Sequence, residues 1–342
     1  MNNDLVILGI ESSCDDTSVA ILRGSKVLSN IVANQSIHEK FGGVVPELAS
    51  RVHQQNIVPV IDTAIKEANV TKSEIDLIAY TKGPGLLGSL LVGSSFAKSL
   101  SLALDKPLVS VNHMQAHILA HFIEHEDQKK PEFPFLCLTV SGGHTQIVEV
   151  NGFNKMKIIG TTLDDAAGEA FDKGAKILGL KYPGGPEIQK ASISGNPERY
   201  NFPRPQVKKS KFNFSFSGLK TSLLYKCRDM NDKSIKDSLP DLSASYQEAI
   251  VDTLINKLEL AINETGINTV SIAGGVAANK RFRQKTSMLV DKYQKLSVIF
   301  PDMEFCTDNA AMIAAAGYNK IIKKQFSNYD LTAVPNLSLN NG

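Results

Sequence analysis

The 342 residues, 42% hydrophobic and 21% charged with 37 basic against 35 acidic side chains, have the composition of a globular chain with core enough for two domains or one large α/β unit. That balance excludes intrinsic disorder, and a membrane span is not expected, since an apolar-leaning uncharged stretch such as the 15 residues between Lys82 and Lys98 is short and rich in Gly and Ser. No basic run precedes the apolar LVILGI segment, so a leader peptide is not expected and the chain should stay in the cytoplasm; Cys14, Cys137, Cys227 and Cys306 lie too far apart for a zinc ribbon or small disulfide scaffold and are expected as thiols.

In chain order, residues 5–22 (LVILGIESSCDDTSVAIL) are two apolar runs around a turn of small polar residues. This predicts a β-hairpin whose tip presents amides and hydroxyls, a shape that can wrap a phosphate. Residues 45–68 predict a helix with Leu48, Val52, Ile57, Ile61, Ile65 and Ala68 near one face and a kink at Pro59. Residues 75–80 are a strand, and GPGLLG at 83–88 turns into a helix apolar nearly all round, which is expected to be buried. PLVSVNH is a strand that runs into a helix beginning near His113. Residues 135–150 (FLCLTVSGGHTQIVEV) repeat the hairpin pattern, and two copies predict a duplicated α/β domain with ligand between the halves. Residues 183–213 hold five of the 14 prolines and are expected to be mostly irregular. Helices at 242–265, 279–289 and 308–323 flank the strand TVSIAGG.

Charge is uneven along this order. Residues 1–130 are net −3 and the remainder net +5, with basic clusters in 181–211, including Lys208, Lys209 and Lys211, and in 276–295, including Lys280, Arg281, Arg283 and Lys285. Either a solvated face or a polyanion-binding surface accounts for them.

Histidine is the strongest local anomaly: His113, His117, His121 and His125 are four of only seven in the chain. Residues at i and i+4 share a helix face at about 5–6 Å, close enough for two imidazoles to hold one metal ion. His113 and His117 are the better placed pair, since each further step drifts around the axis; an exposed polar face accounts for His121 and His125. Asp308, at the start of a helix, could supply an oxygen ligand or act as N-cap, and capping is the commoner role. A zinc-protease reading fails on Met114, which stands where HExxH needs a general base. No GxxxxGK[ST] loop occurs, so P-loop chemistry is excluded, while SIAGGVAANKRFR lets bare backbone approach a nucleoside beside Asn279. Cys14 in ESSCDD reads as a small turn residue rather than a nucleophile, and Asp15 and Asp16 as turn formers or as groups that polarise an amine.

Together, GIESSCDDTSVAI, GGVVPELASR, GPGLLGSLLVG, HMQAH, VSGGHTQ, DDAAGEAFDKGAKILGLKYPGGP, FSFSGLKT, AGGVAANKRFR and TDNAAMIAAAG are similar, in order and over nearly the whole chain, to motifs of the bacterial tRNA N6-adenosine threonylcarbamoyltransferases. The resemblance implies an α/β actin-like fold of the sugar kinase and Hsp70 ATPase superfamily with a ligand cleft between two lobes. One lobe would be 1–130 completed by 308–342, the other 131–307 with a Pro-rich insertion at 183–213. It implies transfer of threonylcarbamoyl from threonylcarbamoyl-AMP to N6 of the adenosine beside the anticodon in tRNAs reading codons that start with A. It also implies one divalent ion, iron or zinc, on His113, His117 and Asp308, and a donor held by Thr139, Val140, Ser141, Gly142, Gly143, Asp172, Gly185 and Asn279. Asp15 or Asp16 would take the amine proton. The implied partners are a shorter inactive paralogue of the same fold and a small P-loop ATPase. Gln189 stands where many relatives have Asp, which questions a direct ribose contact there. A kinase of the same fold would lack clustered histidines, and an inactive scaffold paralogue would lack the metal pair.

Overall fold

The computed structural model describes residues 4–124, 129–207 and 210–339. The chain divides into two units, one within Met1–His38, Val44–Lys130 and Pro301–Gly342, the other within Glu39–Gly43 and Pro131–Phe300.

The first unit opens with a meander, β1 (Val6–Glu11), β2 (Thr17–Arg23) and β3 (Lys26–Ala33). Then follow α1 (Pro46–Glu67), β4 (Leu77–Gly83), α2 (Leu87–Leu104), β5 (Leu108–Asn112) and α3 (His113–Leu119). The second unit repeats the scheme with β6 (Phe135–Val140), β7 (Thr145–Gly152) and β8 (Lys155–Thr161), then α4 (Ala167–Ile177), α5 (Gly184–Ala191), α6 (Ser217–Arg228), α7 (Asp232–Asp237) and α8 (Leu239–Thr265). It closes with β9 (Thr269–Ala273), α9 (Lys280–Lys292) and β10 (Ser297–Ile299), after which α10 (Ala310–Ile322) returns to the first unit.

The sheet orders are β3-β2-β1-β4-β5 and β10-β9-β6-β7-β8. Read outward from β1 and from β6 they are the same: two antiparallel neighbours on one side, two parallel neighbours on the other. Both hairpins expected from the sequence are present, and the repeated sheet is the duplicated α/β arrangement of an actin-like fold. β1 reads as an unbroken apolar run because both its faces are covered. Leu8 and Ile10 join Ile57, Ile61 and Ala97 of α1 and α2 on one face. On the other, Gly9 lies under α10, where a Cβ would come within 2.5 Å of the Ala310 carbonyl.

Two expectations need correction. α1 buries Ala49 and His53 in its first turns rather than Leu48 and Val52, because its N-terminal half covers the polar hairpin tip and not the sheet. The segment 183–213 is mostly irregular as expected, with regular structure confined to α5 and the short turn that ends at residue 194. α2 is not buried all round: Leu87 and Leu91 are about half exposed, beside Val58 of α1 at 58%. Among the described helices α2 alone is long and apolar enough to cross a membrane by length and composition, yet it packs on β4 and α1.

Residues beyond α10 run back over the first unit. Val334 N–H donates to Lys82 O at 2.9 Å, Gly85 N–H to Pro335 O at 3.0 Å, Asn112 Nδ2 to Ser338 O at 3.0 Å and Gln115 Nε2 to Leu339 O at 2.9 Å. The last two groups sit at the start of α3, so this strap fixes that helix from behind.

Candidate metal centre and nucleotide site

β5 ends at Asn112, whose side chain caps α3 by accepting from the N–H groups of Met114 and Gln115. The cap starts the helix at His113, and the next turn brings His117 to the same side, with ring centroids 4.7 Å apart and planes at 86°. Asp308 is not the N-cap of α10. Asn309 takes that role, accepting from Met312 N–H at 3.0 Å, which leaves the Asp308 carboxylate free to turn toward the histidines. Its Oδ1 lies 3.1 Å from His117 Nε2 and 3.5 Å from His113 Nε2. One donor atom from each of the three residues falls within 4.8 Å of the others, so the group could bind a metal ion.

The donor chemistry fits. Two imidazole nitrogens and one carboxylate oxygen suit Fe(II) or Zn(II), and the set leaves coordination positions for substrate. Burial opposes the charge on Glu11 and on Asp308, but the facing imidazoles outweigh it and hold both carboxyls below the ordinary range. Burial likewise opposes a proton on His113, and the two carboxylates override it and raise that imidazole well above its usual value. One buried carboxylate, Glu11, and one partly buried, Asp308, thus face the two rings. His121 is fully buried on a 3-10 turn after α3, not on an exposed face, because the chain turns inward there. His125 lies outside the described residues.

The first hairpin tip stands beside this group and is pinned from two helices. His53 of α1 donates from Nε2 to Cys14 O at 2.9 Å and accepts the Thr17 hydroxyl on Nδ1 at 2.8 Å, and Ser89 of α2 donates to the same carbonyl at 2.9 Å. Burial keeps His53 neutral by lowering its proton affinity. It was missed in the sequence, where a lone histidine in an apolar stripe was the available signal. Burial, reinforced by Asp15, pushes the Cys14 thiol far up, which removes it as a nucleophile. Burial with the charges of Asp15 and Asp308 pushes Asp16 up to about 7, although Asn34 Nδ2 donates to it at 2.8 Å.

In the second unit, Thr139 and Val140 bury their side chains in β6 and can offer only backbone. Ser141 closes the hairpin tip, its Oγ accepting from His144 N–H at 3.1 Å. Gly142 and Gly143 are exposed there, and a Cβ on either would meet nothing within 4 Å; the same holds for Gly185 at the start of α5. No steric clash with the surrounding described residues requires glycine at these three positions. Gly274 is different: at φ +87°, a Cβ would lie 2.4 Å from Val140 O. Asp172 Oδ1 accepts from Gly184 N–H at 2.7 Å and so joins α4 to α5. Asn279 is occupied internally, since its oxygen caps α9 through Phe282 N–H at 2.9 Å and its amide donates to Gln247 at 2.8 Å. Gln189, the departure noted in the sequence, accepts from Lys280 N–H at 2.6 Å and thus holds the start of α9.

The helix cluster of basic residues does not form a free positive face. Arg281 pairs with Glu248 at 2.7 Å, Lys285 with both Glu248 and Asp252, and Arg283 lies 4.8 Å over the Phe300 ring. Glu248 and Asp252, one turn apart on the neighbouring α8, meet two of its four charges. In the loop cluster Lys211 pairs with Glu264 at 2.6 Å, while Lys208 and Lys209 lie outside the described residues. Lys220, Lys226 and Arg228 of α6 form no ion pair among the described residues, and Lys226 and Arg228 lie 5.2 and 5.9 Å over the rings of Tyr200 and Tyr225.

The family model described as tRNA N6-adenosine threonylcarbamoyltransferase matches residues 26–315. Proteins so named from Christiangramia forsetii and Riemerella anatipestifer are 57% identical over 332 residues, covering 96% of both chains, and 53% identical over 340 residues, covering 98% of both. Among solved structures, full-length HypF in a phosphate- and nucleotide-bound form aligns with TM-score 0.62 at 14% identity over 95% of this chain and 48% of that one, and HypF from T. kodakarensis with 0.63 at 13% over 96% and 49%. The chain therefore spans about half of HypF, and at that identity the likeness speaks for the fold alone. The full-length identity speaks for more: with its paired histidines, its carboxylate and its glycine-tipped second hairpin, the chain belongs to the tRNA N6-adenosine threonylcarbamoyltransferase family.

Proposed function

We infer that the protein is an acyltransferase that moves a threonylcarbamoyl group from threonylcarbamoyl-AMP to N6 of the adenosine next to the anticodon in tRNAs reading codons that start with A. The observation that carries this is full-length identity above 50% to enzymes of that name, joined to an intact His113, His117 and Asp308 group. A small-molecule kinase of the same fold has no use for the paired histidines, and that alternative is not favoured.

In the reaction N6 attacks the carbamoyl carbon, the bond from that carbon to the phosphate oxygen breaks with AMP leaving, and the N6 proton must be taken up. A divalent ion on His113, His117 and Asp308, iron or else zinc, would supply Lewis-acid stabilisation of the developing negative charge. Asp16 is suited to accept the proton, because a carboxyl near 7 is half ionised at neutral pH and still basic enough to hold what it takes. Asp15, beside it, raises that basicity. The open backbone of Gly142, Gly143 and Gly185 suits the adenylate of the donor, with Thr139, Val140 and Ser141 shaping the tip and Asp172 and Asn279 holding the helix starts around it. Gln189 braces α9 instead of contacting the ribose. The uncompensated cations of α6, next to exposed Tyr225, suit tRNA phosphates and bases. The unmatched apolar face of α1 and α2, with Val58, Leu87 and Leu91, suits a shorter paralogue as partner, and a small P-loop ATPase completes the system. With tRNA as acceptor, the site of action is the cytoplasm.

The test is transfer of threonylcarbamoyl from a defined donor to tRNA, with those partners present, read as the modified nucleoside by mass spectrometry. Modification of adenosine beside the anticodon, lost on His113→Ala, is expected. Absence of product in the complete system overturns the assignment.

A further inference from the structure

Glu11 is the last residue of an otherwise apolar strand and its side chain is fully buried, a costly place for a carboxylate unless every lone pair is used. Its Oε1 accepts the Ser13 N–H, and its Oε2 accepts the Thr81 hydroxyl at 2.7 Å and lies 2.9 Å from His113 Nδ1. A carboxylate only accepts, so Nδ1 carries a proton, and Nε2 is the ring nitrogen left facing Asp308 and His117 for a metal. The two histidines are therefore unequal. His117 Nδ1 is buried with no hydrogen-bond partner, so nothing comparable backs that ring.

We propose that Glu11 is a positioning residue of the metal centre: it holds the Nδ1 proton and the direction of His113, so that Nε2 faces the metal position, and strengthens that ring as a donor. A carboxylate behind a ligating imidazole raises its basicity, and loss of such a partner typically weakens metal binding by about 10–100-fold. Glu11 touches neither donor nor tRNA in this role; it acts through His113. The inference rests on the metal reading of His113, His117 and Asp308, and its test measures metal rather than transfer.

The variant is Glu11→Gln, which keeps the volume and one accepting oxygen but removes the charge. The probes are Zn(II), titrated against a chelator of known affinity, and Co(II), whose visible spectrum reports ligand strength. Expected are a Zn(II) dissociation constant raised about 10–100-fold and a shifted Co(II) spectrum, with the fold retained by circular dichroism. Ser13→Ala is the comparison, since Ser13 Oγ also lies 3.2 Å from His113 Nδ1; it should leave the dissociation constant unchanged. Unchanged Zn(II) affinity and Co(II) spectrum in Glu11→Gln would overturn the proposal alone, as would weakening in Ser13→Ala with none in Glu11→Gln. Wild-type protein that takes up neither ion would overturn the metal reading and this inference with it.

Discussion

Asp16 gives the sharpest test of how the hairpin tip is built, because stability and activity should move in opposite directions when it is changed to Asn. Burial and the charges of Asp15, Asp308 and Glu11 move its carboxyl from 3.8 to about 7. The folded protein therefore holds this proton more tightly than the unfolded chain does. Its contribution to stability is fully present below about pH 4 and declines as pH rises toward 7, where the folded group finally ionises. At about 1.4 kcal/mol per pH unit, the full displacement costs up to about 4 kcal/mol at pH 8. The side chain is only partly buried, so solvent screening reduces this to about 2 kcal/mol, of which about 1 kcal/mol is lost between pH 5 and pH 8. Asp16→Asn removes the ionisation, so the metal-free variant should be more stable than wild type at pH 8 by about that 2 kcal/mol, with the gap narrowing toward pH 5. Urea unfolding of both proteins at the two pH values measures it. Transfer should fall about 10²–10⁴-fold, with loss of a wild-type pH limb that rises through about 7. A stability difference that does not change between pH 5 and pH 8 would show that Asp16 titrates as an ordinary surface carboxyl, and the general-base assignment would lose its physical ground.

Gly142→Ala and Gly185→Ala should leave unfolding unchanged, or stabilise it by about 0.5 kcal/mol through the unfolded chain, since the added Cβ meets nothing. The same variants should weaken binding of an adenylate analogue at least tenfold in calorimetry, and unaltered affinity would return the tip to a plain turn. Lys226→Gln with Arg228→Gln should lower tRNA affinity and flatten its salt dependence by about two charges, measured by titration at several salt concentrations. Arg281→Gln with Lys285→Gln should leave the slope unchanged, because those charges are already met by Glu248 and Asp252; a flattened slope in the second pair but not the first would reverse the assignment.

The hairpins were legible because strand, small-residue turn and strand are local, and so was the His113 and His117 pair, since i and i+4 on one helix needs no tertiary knowledge. Asp308 was legible from its residues as an oxygen ligand or an N-cap, with capping the commoner role, and the resemblance named it as a ligand. Its turn toward the histidines depends on the next residue, Asn309, taking over the cap, which sequence spacing of one residue cannot resolve. Glu11 was overlooked, although an acid closing the run VILGI is itself a signal: such a strand has no wet face to put it on. The basic run at 280–285 misled because its neutralising acids are some 30 residues away on α8, a distance that only the packing of two helices closes. The exposed leucines of α2 were hidden by composition, which measures how apolar a helix is but not which face finds a neighbour.

The order in which these parts leave the ribosome has a consequence of its own. The second unit is almost entirely one continuous stretch, Pro131–Phe300, inserted into a first unit whose sheet is complete by residue 112 but whose α10 comes later. During synthesis, the face of β1 that carries Gly9 waits uncovered for some 200 residues, until Ala310 and Ala314 arrive to close it. His113 and His117 wait equally long for Asp308, and α3 for the carbonyls of Ser338 and Leu339. A nascent chain can therefore finish its second unit while the first still exposes an apolar sheet face, and it presents no three-residue metal group until translation has passed residue 308. The group that could hold a metal is thereby assembled only after residue 308, and fragments released earlier would carry the two histidines without the carboxylate.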